Sequence, residues 1–366
     1  MTFQLECDAD QLASALIACA PAISAKAPYP VLRSVRVDGA GLVVATDLTQ
    51  AIRAGFDARG DGVVNIDYSL FAPKIRALRT GQSVRIEQDG DFVIVKQGRT
   101  RWKVPTLDGS GFPVDFTAPI EALAINVERD RFVSAMQAAR VIGMGDGTLS
   151  IDNVLLDSAD GHMVAVGAAS RGLVVSGISD AHLDHTIIVP RGSVSAIASM
   201  FKSGVLTISA DQSAMTIASG SVFYKTKLIE GHFPDWRRAS ETQSRGLEFT
   251  IFAKASEVVD AVKRAATIAE DRNRDGAVLA ARMTFDGEQC RVLVENKSGE
   301  EGEDYFPATG GAGSIAVNVD VFLANLASLA AETIAIRIGS TAETAIHLST
   351  ECDSADYRII MPMRVK

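Results

Sequence analysis

Three stretches of the chain open on the same alternation of apolar and polar positions and then change period. "MTFQLECDADQLASALIACA", "LAINVERDRFVSAMQAARVI" and "LEFTIFAKASEVVDAVKRAA" each begin with a short alternating run: Phe3 and Leu5, Ile125 and Val127, Phe249 and Ile251. A period of two predicts a half-buried strand. Each run then crosses a polar turn into apolar residues three and four apart, as in Leu12, Leu16, Cys19 or Phe132, Met136, Ala139, which predicts an amphipathic helix.

A second trio, "VVNIDYSLFAPKIRAL", "TIIVPRGSVSAIASMF" and "SIAVNVDVFLANLASL", repeats the order strand, polar turn, helix, ending at Leu78, Phe201 and Leu329. After each comes an alternating stretch: "VRIEQDGDFVIVKQ", "LTISADQSAMTIAS" and "IAIRIGSTAETAIHLS". Both trios recur every roughly 120 to 130 residues, too long for a solenoid unit and right for a domain. The pattern predicts an α+β protein of three repeated domains, 1–120, 121–245 and 246–366, each with two helices and antiparallel strands. The boundaries fall at the Gly- and Pro-containing "LDGSGFPVDFTAP" and at "ASETQSRG".

Four further stretches depart from this plan. The chain closes on "YRIIMPMRVK", where Ile359, Ile360, Met361, Met363 and Val365 run almost to the last residue, although terminal segments are usually polar and frayed. "KLIEGHFPDWRRAS", between the second and third repeats, sets Phe233, Pro234 and Trp236 beside Arg237 and Arg238. It reads either as a stapled linker or as a recognition cluster. "GRTRWKV" places Arg99, Arg101 and Lys103 on one face of a strand with Trp102 and Val104 on the other, and "EEGED" (Glu300, Glu301, Glu303, Asp304) is an acidic loop in the third repeat. Charge runs of this kind are often solvated faces.

Composition narrows the functions open to the chain. Of 366 residues, 47% are hydrophobic and 22% charged, and the net charge is −9. That balance argues against holding nucleic acid by electrostatic affinity, though not against touching it weakly. The start has neither a basic nor an apolar leader region, so no signal peptide is expected. The longest apolar window is interrupted by Asn318, Asp320 and Asn325, against a membrane span. Cys7, Cys19, Cys290 and Cys352 form no C-x-x-C pair, which fits a reduced cytoplasmic protein without a zinc or disulfide framework.

Candidate chemistry is sparse. "DRNRDG" (Asp271 to Gly276) starts like a calcium loop but has Arg282 at the position needing a bidentate Glu. "GMGDGT" (Gly143 to Thr148) follows a helical stretch and lacks the Lys-Ser/Thr of a phosphate cradle, so it reads as a turn. His162, His182, His185, His232 and His347 are scattered, and no nucleophile, base and orienting acid can be argued from spacing. A catalytic reading would need a pocket gathering His162 or His232 with carboxylates. No metal or cofactor is expected, and a binding or scaffold role is favoured.

Together, the threefold repeat, "EGHFPDWRR" and the terminal "YRIIMPMRV" resemble the bacterial sliding clamp, the β subunit of DNA polymerase III, over the whole chain; "TDLT" (Thr46 to Thr49) and "IIVPR" (Ile187 to Arg191) add to the likeness. The resemblance implies a non-catalytic processivity factor, a head-to-tail homodimeric ring of six domains closed by two identical interfaces. Duplex DNA would thread the ring without sequence preference. Topological tethering needs only weak phosphate contacts, which agrees with the acidic charge. The implied partners are DNA polymerase, the clamp loader and repair proteins, each bound by a short hydrophobic peptide.

For the peptide pocket the resemblance implies Ile151, Leu173, Pro234, Arg238, Ala239, Ala345, Ile359, Ile360, Met361, Pro362, Met363 and Arg364. The two methionines would give a soft surface for many partners. For DNA contact it implies Lys26, Arg76, Arg191 and Lys202, and for the dimer interface Arg99, Arg101, Trp102, Lys103, Ile268, Glu300, Glu301, Glu303 and Asp304.

The chain also departs from the family pattern. "VGAASRGLVV" (Val166 to Val175) keeps Leu173 but lacks the usual Thr-Asp-Gly-His-Arg run; "GMGDGTLS" stands in place of a tyrosine-bearing DNA loop; Ala239 replaces a larger apolar residue; and Lys366 extends one residue past the usual end. An alternative to the general clamp is a paralogue of the same fold with a restricted or different partner set.

Overall fold

The computed structural model describes residues 2–114, 120, 122–142, 149–268, 279–296, 299–341, 343–350 and 355–364. The stretches 143–148 and 271–276, read above as a turn and as a failed calcium loop, lie outside these residues, as do Cys352 and Lys366.

Both predicted trios form strand-to-helix units. Among the described residues the α-helices are α1 (Ala9–Cys19), α2 (Tyr68–Arg76), α3 (Arg129–Ile142), α4 (Arg191–Met200), α5 (Trp236–Ser244), α6 (Ala255–Ala265) and α7 (Val319–Leu329). Their starts are chemically marked. The Asp8 carboxylate accepts from the backbone N–H of Asp10 and Gln11, Asp67 from Ser69, and Asn318 from Val321, satisfying N–H groups that the first helical turn leaves unpaired. The spacing picked the inward faces: Leu12, Leu16, Cys19 and Phe132 are fully buried, and Met136 and Ala139 nearly so.

The chain divides into two compact units, Met1–Asp130 with Gly192–Leu228, and Arg131–Arg191 with Ile229–Lys366. Each holds part of the middle repeat. In unit 1 a 13-stranded sheet becomes continuous where Val222–Lys227 pairs antiparallel with Gln50–Gly55, with Tyr224 opposite Ile52. The seam is held from inside: the buried Tyr224 hydroxyl donates to Gln50 Oε1 at 3.0 Å. Burial pushes that phenol up to about 12.

Unit 2 contains a nine-stranded and a four-stranded sheet. The nine-stranded sheet is joined in the same way, by Gly172–Ser179 pairing with Tyr357–Ile360, so that Leu173 faces Ile359 and Val175 faces Tyr357. Helix α3 lies so close beneath that a Cβ on Gly167 would meet the Ala139 carbonyl oxygen at 1.8 Å, which explains the glycine. The four-stranded sheet covers a core that includes Met283, Val292, Phe306, Phe322 and Ile336. Among the described residues no helix is long and apolar enough to cross a membrane.

Candidate functional site

The terminal strand Tyr357–Ile360 lies between Gly172–Ser179 and Ile346–Ser349, with both edges hydrogen-bonded. Alternation then sorts its side chains. Ile359 joins an apolar cluster with Leu155, Val164, Val166, Leu173, Val175, Ile188, Trp236 and Ala345, against which Phe233, Tyr357 and Met361 are packed half-buried. Ile360 points the other way, into the core with Phe322 and Ile336. Its assignment to a peptide pocket is therefore corrected: on one strand, neighbours of opposite parity cannot share a face.

The other residues expected at a peptide pocket lie in varied settings. Ile151 is half-buried in a 3-10 turn (Ser150–Asp152), while Pro234, Arg238 and Ala239 are exposed along the linker and the first turn of α5. Met361, Pro362 and Met363 are half-buried and Arg364 is exposed. Beyond the strand the backbone stays anchored, with Met361 N–H donating to the Arg171 carbonyl at 2.9 Å and Met363 N–H to that of Ala316 at 2.8 Å. Arg364 meets Glu343 at 3.0 Å.

What fixes the linker is polar. Trp236 is buried, and its Nε1–H donates to Asp157 Oδ2 at 2.9 Å. Arg237 reaches the same oxygen at 2.8 Å and lies over the indole, 4.6 Å from the ring centroid. Asp235 caps α5 by accepting from Arg238 N–H, and Ser150 Oγ donates to the His232 carbonyl at 2.7 Å. One carboxylate thus holds both the apolar anchor and the cation beside it.

Sequence reasoning missed the residues that hold the terminal strand itself. Arg358 is fully buried. Its guanidinium donates to Val175 O at 2.9 Å, Ser328 Oγ at 2.8 Å, Ser328 O at 2.9 Å and Asp356 Oδ1 at 2.6 Å. Burial lowers its pKa, opposed by Asp356. Tyr357 shares a 2.9 Å hydrogen bond with Ser240 of α5 and stacks on His347, ring centroids 4.9 Å apart. Burial, with Arg337 nearby, pulls His347 down to about 4, and its Nδ1 is buried without a hydrogen-bond partner. The signal for Arg358 was present: a charge in "YRII" at a position where alternation points inward.

Of the residues expected at a dimer interface, Arg101, Trp102, Lys103, Glu301, Glu303 and Asp304 lie on two strands. Arg101, Trp102 and Lys103 lie on Thr100–Leu107, which pairs along 100–105 with Phe92–Gln97 on one side. On the other side only Thr106 and Leu107 meet a strand among the described residues. Arg101 and Lys103 are exposed, and the Lys103 ammonium sits 4.0 Å from the Phe92 ring centroid. Arg99 is in the preceding hairpin turn rather than on the strand. The "EEGED" segment, expected as a loop, is corrected to a strand: Glu301–Pro307 is the outer strand of the four-stranded sheet. Here alternation outweighs charge, with exposed Glu301, Glu303 and Tyr305 opposite buried Phe306. Glu303 pairs with Arg291 at 2.6 Å, Asp304 with Arg264, and Glu300 accepts from Asn296. Ile268 is half-buried against the core of unit 2.

Of the basic residues named for DNA, Lys26, Arg76 and Lys202 are exposed; Arg191 is half-buried and opens α4, its N–H donating to Asn153 Oδ1 at 2.9 Å. Lys202 borders a groove of about 910 Å³ in unit 1 that also runs along Gln11, Ser14 and Ala18 of α1. His162 meets Asp180 at 2.9 Å, both exposed. Among the described residues no group of three or more His, Cys, Asp or Glu is placed to hold a metal ion.

No protein-family model matches the chain. The sequence is 27% identical over 319 residues to the β sliding clamp of Proteus mirabilis, covering 83% of this chain and 82% of that protein. It is 25% identical to the β sliding clamp of Escherichia coli K12, with the same coverage. The fold superposes on the DNA polymerase sliding clamp of Bacillus subtilis with a TM-score of 0.87 and 15% identity, covering all of both chains. This chain is a divergent relative of the bacterial sliding clamps. The sliding clamp of Pseudomonas aeruginosa bound to griselimycin aligns with a TM-score of 0.87 and 20% identity, also over the whole of both chains. The sliding-clamp relationship thus agrees with the α+β architecture of repeated strand-helix units.

Proposed function

We propose that the protein is a sliding clamp: a non-catalytic ring that encircles duplex DNA and tethers polymerase and other partners through short apolar peptides. The observation that carries this reading is the terminal strand, whose Ile359 and half-buried Met361 are held against Leu173 and Trp236. A half-exposed apolar surface at a chain end costs solubility unless something binds it. The methionines and the flanking Phe233 and Pro234 give adaptable contacts for an apolar anchor.

The ring would form from two copies of three domains, 1–120, 121–245 and 246–366, arranged head to tail. The under-paired edge of Thr100–Leu107 carries Arg101 and Lys103, and the outer edge of Glu301–Pro307 carries Glu301 and Glu303. Opposite charges on two such edges favour pairing between copies over pairing of like with like. Inside the ring, Lys26, Arg76, Arg191 and Lys202 are the proposed phosphate contacts, few enough for DNA to slide.

Retention on DNA tests this reading. Loaded by the clamp loader and ATP onto nicked circular DNA, the protein should co-elute with it in high salt and be lost when the circle is cut to a linear form. Equal retention on both forms would contradict encirclement.

A further inference from the structure

Unit 1 contains a second cavity, about 520 Å³, bordered by Tyr29, Val31, Leu48, Leu107, Asp108 and Pro113. Its walls correspond, repeat for repeat, to the surroundings of the candidate peptide site. Tyr29 and Val31 precede the strand Ser34–Asp38 through a 3-10 turn (Pro30–Arg33), just as Leu149 and Ile151 precede Val154–Ala159 through Ser150–Asp152. Tyr29 is 65% exposed and Leu149 63%. At the far end of each repeat the chain runs five residues from a leucine to Phe-Pro: Leu107 to Phe112 and Pro113, and Leu228 to Phe233 and Pro234.

Leu48 is the independent sign that this cavity is built to be used. It is a branched, apolar residue in the left-handed region (φ 72) and is 40% exposed. The turn holds it there: its N–H donates to Thr46 Oγ1 at 3.1 Å, and Asp47 Oδ1 accepts from Thr49 and Gln50 N–H at 2.9 and 2.8 Å. A backbone strained to keep an apolar side chain in water at the lip of a cavity points to a ligand contact.

Charge selects the occupant. Asp108 is the one charged residue among the described residues of the cavity wall, and it accepts from Ser110 N–H and Oγ, each at 2.9 Å. Those bonds lower its pKa, keeping it ionised. The candidate peptide site has the opposite rim, with exposed Arg171, Arg238 and Arg364. We propose that this cavity is a second peptide-docking pocket, the internal-repeat counterpart of the first, and that it takes a bulky apolar side chain next to a lysine or arginine of a partner protein. The proposal rests on reading the first site as peptide-binding. Two pockets of one plan and opposite rim charge would let one partner engage both, or two partners share a subunit.

The test is methyl NMR of the full chain titrated with acetyl-Arg-Leu-Phe-amide and, separately, acetyl-Asp-Leu-Phe-amide. The arginine peptide should shift the methyl signals of Val31, Leu48 and Leu107 saturably, and the aspartate peptide should leave them in place. Asp108→Asn should weaken that binding about fivefold and remove its salt dependence. Leu48→Gly, which relieves the backbone strain and so keeps the fold, should weaken it at least as much. The proposal is overturned if the arginine peptide leaves these three residues unmoved, or if both variants bind it as the parent does. The methyls of Leu155, Leu173 and Val175 report the first site separately, so their silence with the aspartate peptide, alongside a response of Leu48 to the arginine peptide, would sink the first reading alone.

Discussion

Trp236 donates its indole N–H to Asp157 at 2.9 Å, and both residues are buried. This bond ties the segment leaving the second repeat to a strand of the nine-stranded sheet, and Arg237 completes it from the solvent side. Asp157→Ala leaves a buried indole N–H without its acceptor, which costs about 1 to 3 kcal/mol. Urea unfolding should show that loss, whereas Arg237→Ala should cost about 1 kcal/mol or less because half of that side chain is in water.

Arg358 fastens the terminal strand from its hidden face. Removing a fully buried guanidinium that serves Val175, Ser328 and Asp356 leaves several acceptors unpaired and a void behind them. Arg358→Ala should destabilise the protein by about 3 to 5 kcal/mol. It should also weaken peptide binding at temperatures where the rest of the fold persists, measured as amide exchange at residues 357–361 together with affinity. Normal exchange there would mean that the strand is held by its two ladders alone.

His347 makes the site sensitive to acid. Its folded pKa is near 4, below the ordinary 6.5, so between these values the unfolded chain binds a proton that the folded one does not. Stability is therefore full above about pH 6.5 and falls as pH drops through 4, by about 3 kcal/mol in all. Unfolding midpoints measured from pH 7 to 4 should show this slope, and His347→Gln should flatten it. An unchanged slope in that variant would assign the acid sensitivity to other groups.

If two copies pair as proposed, the pairing should answer to the charge on the two strand edges. Arg101→Glu is expected to shift sedimentation toward the monomer, with dissociation at least tenfold stronger, and Glu301→Arg in the same chain should recover part of the dimer. Glu303→Arg is the poorer rescue, because Glu303 is already committed to Arg291. Identical sedimentation of all the variants would place the interface elsewhere.

Much of the fold could be read from periodicity. Phe3 and Leu5, or Leu12 and Leu16, have to alternate and then recur at helical spacing to bury one face, and a repeat of that pattern three times leaves few architectures. The candidate site was legible where composition breaks a local rule, in the apolar tail and in the Phe-Pro beside Trp236. It was not legible where a residue's role depends on partners far along the chain. Alternation marks Arg358 as inward-facing, but no local pattern announces that it meets Val175 and Ser328, or that Trp236 meets Asp157. Ile360, which the family resemblance put in the pocket, lies on the core side because strand parity divides the apolar run. The acidic segment was misread because charge was allowed to outweigh the alternation that ends in buried Phe306.

The measurement that bears most directly on the terminal-strand site is fluorescence anisotropy of a labelled clamp-binding peptide from the polymerase of the same organism. It would be titrated with the intact chain and with a Met361→Ser, Met363→Ser double variant. Saturable binding at micromolar concentration or tighter, weakened at least tenfold in the variant at unchanged thermal stability, is the predicted result. Binding of equal strength in both, or none in the well-folded parent, would contradict the account of the terminal strand as a peptide site.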